Sequence, residues 1–448
     1  MKVALITLGC PKNLVDAEVM LGLIDRAGHS LVADPRGADV AIVNTCSFVS
    51  AAIAESRSVV EECLALRAAG LLGRVVVAGC LPQRYGKHTR RILPGVDAVV
   101  GSSAFQEIDR VLEALAAGRR VTRVKKPTSL YDHRSPRILG TPAHLAYVKI
   151  ADGCDNRCTY CTIPSIRGAF RSRRPDSVIA EARDLAEAGV KEVSLIAQDT
   201  TAYGTDIADP EGLPGLLRRL SDVGVPWVRL LYTHPARITD ELLSVMASEA
   251  AVVPYLDVPI QHISDRILAV MGRRIDGDAI RGLFARVRST IPGVVVRSSV
   301  MTGFPGESDR EFEELLAFVR EGHVDFLGIF EFSPEPGTDA AELPDQVSGE
   351  IASERARLIA EAAKEHAAER GAGMVGREIR VLVDDEGSGH TAGQAWEMDG
   401  RVLWQHGAAG GPRPGAFVAA RVTAARGFDL VATPVAPQIS RAVSGETA

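Results

Sequence analysis

Cys154-Asp-Asn-Arg-Cys158-Thr-Tyr-Cys161 is the stretch on which the reading of this chain turns. Three cysteines fall at C-x3-C-x2-C spacing just after an apolar run, Leu145-Ala-Tyr-Val-Lys-Ile-Ala151. Neither a fourth cysteine nor a histidine follows within the next twenty residues. A closed zinc site takes four ligands. A ferredoxin run takes C-x2-C-x2-C with a further cysteine before a proline, whereas here Ile163 precedes Pro164. Three thiolates can instead hold a four-iron, four-sulfur cluster with one iron left without a protein ligand. An open iron suits a cluster that binds a substrate rather than one that only passes electrons.

The rest of the composition is that of an ordinary globular protein. A length of 448 residues suggests about three domains. Hydrophobic residues make up 46% and charged residues 24%, so a large core can form without disulfide staples. The net charge of −6 gives no reason to expect a nucleic-acid partner. The apolar start, Met1 to Cys10, is too short for a secretory signal and has no small-residue cleavage site. No run of about 20 apolar residues offers a membrane span. Seven cysteines, an odd number, in such a chain point to a reducing cytosol and to metal or redox ligands rather than disulfides.

Residues 1–120 alternate buried strands (Lys2–Leu8, Val40–Asn44, Arg74–Ala78) with helices (Asn13–Ala27, Ala51–Ala69, Phe105–Ala117). That pattern predicts a doubly wound parallel sheet. Cys10, Cys46 and Cys80 each follow one of the strands, 36 and 34 residues apart. Loops at the carboxyl ends of parallel strands share one edge of a sheet, so these three thiols are expected to form one site. Cys63 lies inside a helix and reads as a buried structural thiol. Residues 121–142 read as a linker, part of a stretch from 118 rich in Arg, Lys and Pro: a solvated connector, or a contact for a phosphate-bearing partner.

Residues 143–371 alternate again, with six strand–helix units and a long closing helix over Gly349–Arg370. Six units are too few for a full eight-fold barrel and predict an open, partial (βα)6 barrel. Residues 375–435 carry short β-type runs, His390–Ala395 among them, with Gly-rich breaks such as Gly407–Gly411. They predict a small antiparallel β-barrel. Its six Arg against seven Asp plus Glu leave it near neutral, unlike a nucleic-acid-binding barrel. Residues 436–448 read as a disordered tail.

The C-x3-C-x2-C segment at the end of a first barrel strand resembles the radical S-adenosylmethionine enzymes. With a three-cysteine domain before it and a barrel like a TRAM domain after it, the chain resembles the methylthiotransferases over Val3 to about Pro434. Three strings resemble the RimO-type branch, which modifies an aspartate of the twelfth protein of the small ribosomal subunit. They are Leu8-Gly-Cys-Pro-Lys-Asn-Leu-Val-Asp16, Ala197-Gln-Asp-Thr-Thr-Ala-Tyr-Gly204 and Leu256-Asp-Val-Pro-Ile-Gln-His-Ile-Ser264. The transfer-RNA-modifying branch usually has Gln-Met-Asn after its first Gly-Cys.

The resemblance implies two [4Fe-4S] clusters, one on Cys154, Cys158 and Cys161 and an auxiliary one on Cys10, Cys46 and Cys80, together with S-adenosyl-L-methionine. It implies an electron donor such as flavodoxin or ferredoxin, a ribosomal-protein loop as substrate, no membrane, and a monomer working in the cytoplasm. Tyr160 is expected near the first cluster, and Gln198 and Asp199 near the cofactor's methionine or ribose part. The turn Gly303-Phe304-Pro-Gly306-Glu307 is expected against the adenosyl group. Gln261 and Arg297 lie on or after later strands; Arg297 is either a carboxylate ligand or part of a structural ion pair, with Glu307 a candidate partner. Two other readings are a transfer RNA adenosine methylthiotransferase, and a non-catalytic iron–sulfur carrier or RNA-binding protein.

Overall fold

A computed structural model describes residues 1–405 and 412–435; the expected tail and the whole Gly407–Gly411 break lie outside them. The first unit is a six-stranded sheet. Its strands are β1 (Lys2–Thr7), β2 (Ser30–Val32), β3 (Val40–Thr45), β4 (Arg74–Gly79), β5 (Ala98–Gly101) and β6 (Val121–Arg123), in the order β2-β1-β3-β4-β5-β6. Every pair is parallel. β3 is buried along its whole length, as a sheet covered by helices on both faces requires. One face packs on α1 (Pro11–Arg26) through Val15, Val19 and Met20. The other packs on α2 (Ser50–Ala68), where Cys63 is buried beside Val60 and Val77.

β2, β5 and β6 add to the three strands read from the sequence. Each has three or four residues, too few to show a period. Val121–Arg123, assigned to the linker, is therefore the edge strand of the sheet. The basic stretch is only partly solvated. Arg134 is exposed, but the Arg137 side chain is buried, pairing with Glu18 at 2.5 Å and Glu181 at 2.6 Å.

The second unit holds β7 (Leu145–Lys149), β8 (Glu192–Ile196), β9 (Trp227–Leu230), β10 (Val252–Asp257), β11 (Val295–Thr302) and β12 (Phe326–Glu331). They form one parallel sheet in chain order. Strand alternation sorts the side chains. Val148, Leu195, Leu230, Leu256 and Val296 face the outer helices, while Tyr147, Ile196, Trp227, Leu231 and Tyr255 line the inside. The inner cluster is continuous with α1 of the first unit and with Leu382 and Ala395 of the third. The partial barrel is thus covered at both ends by the flanking units.

The third unit is a closed barrel of β13 (Glu378–Val383), β14 (Ser388–Thr391), β15 (Val402–Trp404), β16 (Phe417–Arg426) and β17 (Asp429–Pro434), in the order β13-β14-β15-β17-β16. It is not wholly antiparallel: β15 runs parallel to β17. A closed ring with an odd number of strands cannot alternate direction throughout, so one parallel pair is unavoidable. The expected strand over His390–Ala395 stops at Thr391, where the Gln394 side chain accepts from the Thr391 N–H and hydroxyl and turns the chain.

Candidate active site

Cys10, Cys46 and Cys80 occupy the carboxyl ends of β1, β3 and β4, beside the point where strand order reverses between β1 and β3. Two glycines make the approach possible. A Cβ on Gly9 (φ +87°) would lie 2.7 Å from the Cys46 Cβ, and one on Gly79 (φ +93°) 2.7 Å from the Thr45 carbonyl. Asn13 ties the strand ends together, donating to the carbonyls of Leu8 (2.7 Å), Asn44 and Thr45 (both 3.3 Å). Cys46 and Cys80 are buried. Burial pushes the Cys80 thiol up to about 12 and raises that of Cys46. The Arg167 guanidinium donates to the Cys80 sulfur at 3.4 Å.

The second set lies on the loop after β7. Gly153 (φ +83°) passes so close to the Ala169 carbonyl that a Cβ would sit 2.1 Å away. Thr159 fastens the loop to the barrel, its N–H on Met271 O (3.1 Å) and its hydroxyl on Val270 O (2.9 Å). Burial pushes the Cys154 thiol up to about 11 and the Cys161 thiol to about 12. Backbone N–H groups of Asn156 and Ile163 act against it. Arg273 donates to the Cys158 sulfur at 3.7 Å and to the Pro259 carbonyl. Each set therefore has one buried arginine aimed at a sulfur.

The two sets are joined through a buried charge network. Arg167 reaches Asp16 of α1 (2.6 Å), Asp152 of the cysteine loop (3.3 Å) and Cys80. Lys149 bridges the same two carboxylates. Burial disfavours the charge on Asp152, but Lys149 and Arg167 hold its carboxyl well below the usual range. A second tie is Glu335, which accepts from Ser50 and pairs with Arg84 at 2.9 Å. The first unit is thus fixed over the barrel mouth.

Gln198 donates to Asp152 at 2.9 Å, and its Oε1 is buried without a partner. Asp199 is buried, accepting from Asn156 (2.8 Å) and pairing with Arg237. Tyr160 packs against the small cluster of Ile267, Met271, Phe304 and Ala340. Gln261 takes φ +74° while its backbone bonds Ser299 and Met301.

Arg297 lies in an ion pair, with Asp257 and Asp399 each at 3.3 Å. Glu307 is not its partner; it pairs with Arg355 of the closing helix, Gly349–Met374, at 3.0 Å. The turn at Gly303 also meets that helix: a Cβ on Gly303 would stand 2.4 Å from the Ala352 Cβ. Gly306 (φ +75°) has only Arg266 nearby.

Residues not singled out from the sequence complete the site: Lys12, Asp16, Asp152, Arg167, Tyr232, Asp257 and Arg273. Lys12 is buried with its ammonium 3.1 Å from the Tyr232 ring centroid. Burial lowers the Lys12 pKa, against the pull of Cys10 and Asp257. Tyr232 takes φ +61°, held by its N–H on Asp257 (2.9 Å). A bulky residue in that conformation is strained, and such strain gathers at functional sites. The only sequence signal for Lys12 was its place in the string after Cys10.

The donor sets suit iron–sulfur clusters: all thiols, three in each set, with N–H groups aimed at sulfurs. Among the described residues, no three of His, Cys, Asp or Glu stand close enough to ligate a single ion. The partnerless Gln198 Oε1 is a free acceptor beside the Cys154 loop. Residues 148–319 match the radical SAM superfamily, residues 375–435 the TRAM domain, and residues 2–101 the uncharacterized protein family UPF0004. The fold resembles the radical S-adenosylmethionine methyltransferase TsrM from Kitasatospora setae, with TM-score 0.56 at 16% identity over 76% of this chain and 73% of that one.

The protein is a radical S-adenosylmethionine enzyme, a class that uses a [4Fe-4S] cluster and S-adenosylmethionine. Ribosomal protein uS12 methylthiotransferase RimO from Trichlorobacter lovleyi is 42% identical over 96% of this chain and 97% of its own. The protein of the same name from Syntrophotalea carbinolica is 43% identical over 96% of each chain. The chain belongs to the RimO family of methylthiotransferases.

Proposed function

We propose that this enzyme replaces a hydrogen on the β-carbon of an aspartate in ribosomal protein uS12 with a methylthio group. The observation that carries the reading is the pairing of two three-thiol sets from different units across one buried network. Cys154, Cys158 and Cys161 would hold one [4Fe-4S] cluster; Cys10, Cys46 and Cys80 would hold a second. When bound, the first cluster and S-adenosylmethionine would supply the hydrogen-abstracting radical, which leaves as 5′-deoxyadenosine, and the second cluster would supply the methylated sulfur. The chain's own residues bind, orient and exclude water. Gln198 and Asp199 would meet the polar part of S-adenosylmethionine, with Tyr160 beside them. The Gly303–Glu307 turn and Gln261 would border the adenosyl side through backbone groups. Arg297 would act through Asp257, which fixes the Tyr232 backbone.

The electron would come from a reduced carrier such as flavodoxin or ferredoxin, and the enzyme would work as a cytoplasmic monomer. No helix among the described residues is long and apolar enough to cross a membrane. The test is the mass of uS12 from cells with and without this gene. The expected result is that one aspartate residue carries a methylthio group only when the gene is present. An unchanged uS12 together with loss of 2-methylthioadenosine from transfer RNA would overturn the reading in favour of the RNA substrate.

A further inference from the structure

Lys12 stands where a lysine is hard to keep. It is 7% exposed, in the first turn of α1, which has no acidic residue. A cation there faces the positive end of the helix, and the negative groups nearest it are the Cys10 thiol and the Asp257 carboxylate. The nearby carboxylates are engaged elsewhere: Asp16 with Lys149 and Arg167, Asp152 with Lys149, Arg167 and Gln198, Asp257 with Arg297 and the Tyr232 N–H. Among the described residues no carboxylate lies within ion-pair distance of Lys12. Its one close partner is the face of Tyr232, 3.1 Å away, which recovers part of the cost. Natural sequences break local rules of this kind at functional sites.

The position of this cation is as informative as its lack of a partner. Lys12 is two residues past Cys10. Tyr232 follows β9 at the barrel mouth, with its backbone in the left-handed region. The pair therefore spans the seam between the two units that carry the thiol sets.

We propose that Lys12 binds the carboxylate of the substrate aspartate, with the Tyr232 ring as the floor of that seat. This rests on the reading that the substrate is an aspartate. A carboxylate is one bond from the β-carbon, so an anchor on it fixes which carbon and which hydrogen face the radical. A charge-assisted contact also selects aspartate over asparagine. Lys12 is thereby a specificity-determining residue.

The test uses enzyme reconstituted with iron and sulfide, and two probes: uS12, and uS12 carrying asparagine at the modified position. Dissociation constants are measured by fluorescence anisotropy for wild type, Lys12→Met and Lys12→Arg, with that of S-adenosylmethionine alongside. Wild type is expected to prefer the aspartate form. Lys12→Met should weaken its binding about tenfold or more and erase the preference, with S-adenosylmethionine binding unmoved. Lys12→Arg, which keeps the charge, should retain a preference, and it covers the case in which Lys12→Met does not fold. A Lys12→Met enzyme that still prefers aspartate, or that loses S-adenosylmethionine affinity instead, overturns the assignment of Lys12 alone. A wild-type enzyme that binds neither uS12 form overturns the aspartate reading itself.

Discussion

The two ends of the partial barrel are built on opposite plans. At the amino ends of its strands, charged groups from two units satisfy one another. Arg229 binds Glu192 at 2.6 Å and the Ala392 carbonyl at 2.8 Å. His390 of the small barrel bridges Glu192 and Asp384, each at 2.9 Å, and His144 joins Asp384 at 3.2 Å. At the carboxyl ends the account is left open. Lys12 has no carboxylate, the Gln198 Oε1 no donor, and Tyr232 and Gln261 sit in left-handed backbone. The amino end is closed by structure; the carboxyl end has a closed network of its own in Arg167, Lys149, Asp16 and Asp152, with these few groups left beside it for what binds there. The same fold tolerates both because the inner cluster of Tyr147, Ile196, Leu231 and Tyr255 holds the strands between them.

The largest expected effects are at the open end. Cys154→Ala should abolish 5′-deoxyadenosine formation and remove about half of the reconstituted iron, leaving the other thiol set loaded. Cys46→Ala should also halve the iron but spare deoxyadenosine formation while methylthiolation stops. A Cys46→Ala enzyme that still yields methylthiolated uS12 would break the division of labour between the two sets. At the closed end the currency is stability. Arg229→Met strips Glu192 and the Ala392 carbonyl of a buried partner and should cost about 3–5 kcal/mol. Chemical unfolding followed by circular dichroism would measure it, and an unaltered midpoint would show that the closed end does not hold the units together.

Much of this organisation is legible in the sequence. Strand-end placement recurs after Lys2–Thr7, Val40–Thr45 and Arg74–Gly79, and so it brought Cys10, Cys46 and Cys80 to one sheet edge. What was not legible depends on contacts between units. Arg167 meets Asp16 across 151 residues, and nothing around Ile166-Arg167-Gly168 announces it. Glu307 seemed free to serve Arg297 until the closing helix brought Arg355 to it. Position 303 has no room for a side chain because Ala352 of that helix crowds it, a packing cause that no local motif states.

A smaller effect comes from pH at the closed end. Burial opposes the charge on His390, but Glu192 and Asp384 raise its pKa to about 9. A group whose folded pKa is raised adds stability that is complete below its unfolded value and fades as pH climbs through the folded one. The contribution should therefore be whole below about pH 6.5 and gone by about pH 10, amounting to on the order of 3 kcal/mol. Glu192 runs the other way: its pKa is lowered to about 2, with burial opposed by Arg229 and His390. Its share is present above about pH 4.5 and lost as pH falls through 2. Unfolding midpoints from pH 6 to 10 should fall in wild type and stay flatter in His390→Gln. A parallel fall in both would remove His390 as the cause.

The smallest effect should have the opposite sign. Lys12 is a cation in the first turn of α1, and among the described residues no carboxylate stands within ion-pair distance of it, so Lys12→Met should remove a cost instead of a contact. Methionine has a similar length and its thioether can rest on the Tyr232 ring. The variant should gain about 0.5–1 kcal/mol in the unliganded protein while losing its hold on the aspartate form of uS12. A loss of stability comparable to that of Arg229→Met would mean that the ammonium is already satisfied without substrate, and the contrast between the two ends would fail at its sharpest point. A gain would tie the stability given up at the open end to the carboxylate that completes it.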